Sequence, residues 1–161
     1  MPKPPNYEDM ESPEMMEKIL QLVPQQPPFR FIETIDYLDH DRIEGSYTLK
    51  ETADFYQGHF PGFPVTPGAI LMEIMAQTGM VAFGIYLMML EGEKEFKNMS
   101  ALLTQTHIRF KKQVAPGERV FIRSEKTVFR YGKLECRITL KDAKKDLICF
   151  GEMGGMLLVR K

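Results

Sequence analysis

Phe55-Tyr-Gln-Gly-His59-Phe-Pro-Gly-Phe-Pro-Val-Thr-Pro-Gly68 runs without a break into Ala69-Ile-Leu-Met-Glu73-Ile-Met-Ala-Gln77-Thr-Gly-Met-Val-Ala-Phe-Gly-Ile-Tyr-Leu-Met-Met-Leu90, and this change of texture decides the fold. The first part is dense in proline and glycine, as suits a loop holding unusual backbone dihedrals. The second part is apolar on every side, which predicts a helix reaching about Leu90. Thr66 is placed to be its N-cap, Pro67 its first residue and Gly68 its second. At about 1.5 Å per residue the helix is roughly 35 Å long, and lacking a polar stripe it must be covered on all sides. Length and apolarity also meet the requirement for crossing a bilayer. However, Glu73, Gln77, Thr78 and two glycines interrupt the run, and a carboxylate in mid-bilayer is costly, so no membrane span is expected.

Working outward, Ser12-Pro13-Glu14 offers an N-cap, a first-turn proline and an acidic residue, predicting a helix to about Leu22. Residues 1–11 read as a flexible lead-in, leaving 12–161 as one domain. Pro24, Pro27 and Pro28 end the helix. Phe29 to Leu38 and Arg42 to Leu49 then read as strands around the turn Asp39-His40-Asp41. Beyond the polar stretch Glu91 to Asn98 the period changes to that of strands: Ala101 to Phe110, Arg119 to Phe129, Lys133 to Leu140 and Leu147 to Val159. Short turns separate them, predicting an antiparallel meander. One all-round apolar helix and six antiparallel strands make an α+β fold in which a curved sheet wraps the helix.

Composition narrows the function. The 161 residues carry a net charge of −1, without the broad positive field that nucleic-acid binding uses. Cys136 and Cys149 sit in apolar strand patterns and are expected to be buried, reduced thiols. The start is polar and Pro-rich, unlike a secretory signal, so the cytoplasm is expected. Three histidines and two distant cysteines provide no metal-ligand spacing.

His59, Gly68 and Glu73 stand out for chemistry. Histidine changes charge near neutral pH. An N–H at a helix start has no intrahelical acceptor and can face a ligand oxygen. Glu73, among Leu71, Met72, Ile74 and Met75, is expected to be held out of water, and a carboxyl kept neutral by burial can donate a proton. A carboxylate paired with a buried Arg or Lys is the bland alternative.

The string Gln57 to Gln77, with His-Phe-Pro-Gly, then Pro67-Gly68, the helical Glu73 and Ala76-Gln77, closely resembles the signature of the FabZ family of 3-hydroxyacyl-(acyl-carrier-protein) dehydratases. Arg109-Phe-Lys-Lys-Gln-Val-Ala-Pro-Gly-Glu118 is similar to a second segment of that family. The resemblance implies a hotdog fold and dehydration of a carrier-bound 3-hydroxyacyl thioester without a cofactor. It implies His59 as the base, Glu73 as the acid and Gly68 as the amide that polarises the thioester oxygen. Glu in place of Asp at position 73 favours this branch over the related dehydratase/isomerases. Also implied are an acyl tunnel beside Phe60, Pro67, Ala69, Ile70, Gln77, Ala101 and Leu102, and a homodimer with shared sites, possibly assembled as trimers of dimers. An acidic acyl carrier protein would dock on Arg109, Lys111, Lys112 and Arg119. The chain departs from the family at Pro24-Gln-Gln-Pro-Pro-Phe-Arg30, where basic and aromatic residues are replaced, and at Ala101, which stands near the position of a gating aromatic. A hotdog thioesterase and a non-catalytic acyl-binding subunit are the alternative functions.

Overall fold

A computed structural model describes residues 11–160. The expected lead-in therefore lies outside the described residues but for Glu11. Helix α1 (Pro13–Leu22) starts where the sequence predicts, the Ser12 hydroxyl accepting from the Met15 N–H at 3.2 Å. Its last carbonyls meet Arg30, which donates to Leu20 O at 2.6 Å, Gln25 O at 3.1 Å and Val23 O at 3.4 Å. A guanidinium suits the negative end of a helix, and this one also pins the Pro-rich segment that replaces the family's basic and aromatic residues.

Strand β1 (Thr34–Leu38) pairs with β2 (Arg42–Thr48) through the expected turn, where Asp39 Oδ1 accepts from the N–H groups of Asp41 and Arg42. The strand does not begin at Phe29 as its composition suggests. Phe29 O and Phe31 N are bonded to the Gln77 side chain, so neither is free to join a ladder. A short helix, α2 (Phe55–Gly58), interrupts the stretch expected to be all loop.

The central helix runs from Gly68 to Leu90 in three parts: α3 (Gly68–Ala76), a π-helical turn (Gln77–Ala82) and α4 (Phe83–Leu90). Its N-cap is Pro67, one residue later than predicted. Thr66 does not cap, because its hydroxyl is bonded to the Tyr56 hydroxyl at 2.6 Å and its N–H to Val114 O at 2.9 Å. The π turn was not legible in the sequence. It is accompanied by close contact with the sheet: the Ser124 hydroxyl donates to Gly79 O at 2.9 Å, and a Cβ on Gly79 would stand 2.9 Å from both Ser124 Cβ and Ile138 Cδ1.

Strands β3 (Met99–Phe110), β4 (Arg119–Arg130), β5 (Lys133–Asp142) and β6 (Leu147–Val159) complete a sheet of order β1-β2-β4-β5-β6-β3, with every adjacent pair antiparallel. The expected four-strand meander holds for β4, β5 and β6 only. β3 pairs with β6 and forms an edge. The reason lies in residues 111–118, which cross the end of the sheet: Lys111 N bonds Ile148 O of β6, and Gly117 N bonds Leu49 O just beyond β2. Val114 lies midway on this crossing and meets Thr66 just ahead of α3.

Ile74, Met75, Phe83, Ile85 and Leu87 of the helix join Ile43, Val120, Ile122, Ile138 and Leu140 of the sheet in one core. Gly68–Leu90 is, among the described residues, the helix long and apolar enough to cross a membrane, and 78% of its most apolar window is buried in the fold. The curved antiparallel sheet wrapped around that helix is the expected α+β hotdog architecture.

Candidate active site

His59 follows α2 directly and is held from both sides. Its N–H bonds Phe55 O at 3.0 Å, its carbonyl accepts from Val65 N at 2.9 Å, and its Nδ1 lies 2.8 Å from Val65 O. A carbonyl only accepts, so Nδ1 is the donor in this bond, which in a neutral ring leaves the lone pair on Nε2. Phe60 and Phe63 exchange two backbone hydrogen bonds that close the loop, and the Phe60 ring stacks on the imidazole at 4.1 Å. His59 is thus a fixed, half-buried imidazole with one ring nitrogen left without a partner from the fold.

Glu73 lies on the second turn of α3. It is half-buried, less withdrawn from water than its apolar neighbours suggest, because the helix presents it at the rim of a cleft. The anchor of its carboxylate is Gln77, one turn on, whose Nε2 donates to Glu73 Oε1 at 2.8 Å and to Phe29 O at 2.9 Å, while its Oε1 accepts from Phe31 N at 2.6 Å. No Arg or Lys pairs with Glu73 in any ion pair among the described residues. Gln77 is fully buried, and its amide therefore ties the carboxylate to the segment that enters β1. Its i, i+4 spacing from Glu73 was the sequence signal for this role.

Gly68 opens α3, so its N–H belongs to the first turn, whose donors have no intrahelical acceptor. A Cβ there would stand 3.2 Å from the Phe110 ring, which explains the absence of a side chain.

The cleft holding Glu73 lies between α3, the π turn, strands β3, β5 and β6, and Gln25 of the segment after α1. Of the predicted tunnel residues, Ala69, Ala101 and Leu102 line it with Glu73. Phe60, Pro67, Ile70 and Gln77 do not. Phe60 is half-exposed beside His59, Pro67 caps α3, Ile70 packs against the core and Gln77 lies behind the carboxylate. Missed by the sequence reading were Met80, Leu134, Met153, Met156 and Leu157, which come from three elements that only the fold brings together. No aromatic ring lines the cleft among the described residues, in keeping with Ala101 at the position of a gating aromatic. His59 does not line it either.

Of the predicted docking cations, Lys112 is bonded to Asp142 at 2.6 Å and Asp146 at 3.0 Å, and Arg119 donates to Ser46 Oγ at 2.7 Å. Arg109 and Lys111 remain exposed where β3 ends.

Residues 23–146 match the family described as a FabA-like domain. Over 139 residues the chain is 32% identical to the 3-hydroxyacyl-(acyl-carrier-protein) dehydratase FabZ of Syntrophomonas wolfei, covering 84% of this chain and 90% of that one. The dehydratase heterocomplex ApeI:P from Xenorhabdus doucetiae has a similar fold, with a TM-score of 0.71 at 12% identity, over 88% of this chain and 91% of that one. A thioesterase from Haemophilus influenzae gives 0.62 at 14% identity, over 89% and 90%. At such identities the two solved structures share the fold with this chain and carry no argument about chemistry.

Proposed function

The chain belongs to the family of FabA-like domains, and from that premise we propose that it dehydrates 3-hydroxyacyl thioesters on an acyl carrier protein to the trans-2-enoyl products, in fatty-acid or related lipid or polyketide synthesis. Glu73 carries this reading: it is the one carboxylate among the side chains of a mostly apolar cleft. In the step, Nε2 of His59 takes a proton from C2 of the substrate. The C2–H electron pair becomes the C2–C3 double bond, the C3–O bond breaks, and Glu73 delivers a proton to the departing oxygen, so that water leaves. The first-turn N–H of Gly68 stabilises the charge that develops on the thioester oxygen, a contribution of roughly 2.7–4 kcal/mol for one such donor. Hydrogen and oxygen balance without an oxidant or reductant.

His59 lies outside the cleft that holds Glu73 of the same chain, which supports a homodimer in which each site combines His59 of one subunit with Glu73 of the other. Trimers of such dimers follow the same design. β3 supports the pairing too, being a long edge strand with Leu102, Leu103 and Phe110 about half-exposed. Arg109 and Lys111 are the cations left free to steer an acidic carrier protein in the cytoplasm.

The test is hydration of a 2-enoyl thioester by the purified protein, followed as loss of conjugated absorbance, with free thiol measured in parallel. Hydration without thiol release is expected. Thiol release without hydration would replace this reading with a thioesterase, the function that shares the fold.

A further inference from the structure

Gln25 lines the cleft together with Glu73, and these two are its polar side chains among the described residues, the rest being alanine, glycine, valine, leucine and methionine. The Oε1 of Gln25 is buried and receives no hydrogen bond. A buried acceptor without a donor is destabilising, and native folds seldom leave one without a use. Its neighbour Gln26 shows the contrast, donating its side-chain amide to Val23 O at 3.2 Å.

The backbone holds Gln25 in place. Arg30 binds Gln25 O at 3.1 Å while gripping Leu20 O and Val23 O, and Gln77 ties Phe29 and Phe31 of the same segment to the Glu73 carboxylate. The acceptor and the acid therefore sit on a single braced unit. Resting on the dehydratase reading above, we propose that Gln25 is a substrate-positioning residue whose Oε1 accepts the O–H of the substrate's 3-hydroxyl.

The chemistry of that hydroxyl explains the need. Its oxygen receives the proton from Glu73, so its own hydrogen must be donated elsewhere, and Gln25 is the other polar side chain that lines the cleft. As C3–O breaks, the departing water keeps one hydrogen on Gln25 while its other came from Glu73. Gln25 itself exchanges no proton. In the hydration direction the same contact aims the incoming water at C3.

The experiment measures binding of two unreactive ligands, the 3-hydroxyoctanoyl and octanoyl amides of aminopantetheine, to the wild-type protein, Gln25→Met and Gln25→Ala. The methionine variant keeps the length of the side chain and removes the acceptor, and the alanine variant stands in for it should it not fold. The wild type should favour the hydroxylated ligand about tenfold over the saturated one, about 1.4 kcal/mol, and the variants should bind the two alike. Affinity for the saturated ligand should stay or tighten, and kcat/KM for dehydration should fall about tenfold with the melting temperature of Gln25→Met unchanged or raised. An unchanged preference in the variants would overturn the proposal, as would equal weakening of both ligands, which marks a packing role or a contact with the pantetheine amides. If the wild type hydrates no 2-enoyl thioester, the dehydratase reading fails separately, since the ligand pair reports on Gln25 without turnover.

Discussion

At the residue scale, each of the two groups proposed to transfer protons is oriented by a neighbour that has no part in the proposed proton transfers. Val65 O fixes the His59 ring and Gln77 fixes the Glu73 carboxylate. His59→Ala and Glu73→Gln should each abolish hydration and leave the circular-dichroism spectrum and melting temperature close to those of the wild type, because an amide oxygen at position 73 can still accept from Gln77. Activity retained in either variant would remove that residue from the mechanism. Gln77→Leu should behave differently. It strands the buried Phe31 N–H, at about 1–3 kcal/mol for an unsatisfied group, while the Phe29 carbonyl, on an exposed residue, can turn to water. Denaturant unfolding should therefore report a loss of roughly 1–3 kcal/mol, together with reduced activity from a carboxylate no longer held. Loss of activity alone would mean that the amide orients Glu73 without bracing the fold.

At the element scale, the π turn is where the central helix meets the sheet most closely. Gly79→Ala would bring a methyl to 2.9 Å from Ser124 Cβ and Ile138 Cδ1, both held in a packed sheet. Overpacking of this kind costs about 1–3 kcal/mol, which in a chain of this size lowers the melting temperature by several degrees. A melting temperature equal to that of the wild type would mean that helix and sheet separate there without cost. The neighbouring strands β5 and β6 carry the two cysteines in the core. Burial pushes the Cys136 thiol up to about 11 and the Cys149 thiol up to about 12. Since the thiolate is the reactive form, iodoacetamide at neutral pH should label neither in the native protein and both after unfolding, as mass spectrometry would read. Labelling of the native protein would point to local opening of that part of the sheet.

At the scale of the whole molecule, the proposed sharing of sites makes a prediction that no single subunit can mimic. Mixing His59→Ala with Glu73→Gln under conditions of subunit exchange should restore activity, since a mixed dimer has one site with both groups intact. With random pairing, about a quarter of the wild-type rate is expected. Two variants that stay inactive on mixing, with exchange verified by a mass tag, would place both groups within one chain. Leu103→Lys puts a charge on the edge strand β3, where Leu103 is 54% exposed, and should shift sedimentation toward monomer with parallel loss of activity.

The amino-acid sequence by itself determined the helix from the loop at Thr66 to Leu90, most strand limits within a few residues, and His59, Gly68 and Glu73 as the groups to examine. These follow from local rules: apolar period, proline and glycine placement, and the scarcity of charge along one segment. Only the tertiary structure decided that β3 leaves the meander for the far edge, that Gln77 stands behind the carboxylate and not in the cleft, that Lys112 and Arg119 are spent on internal contacts, and that Gln25 lines the cleft with an unpaired oxygen. Each of these depends on which groups from distant parts of the chain meet when the sheet closes over the helix. Periodicity along a sequence says which way a side chain points relative to its neighbours, but a hydrogen-bond partner or a cleft wall is supplied by another element.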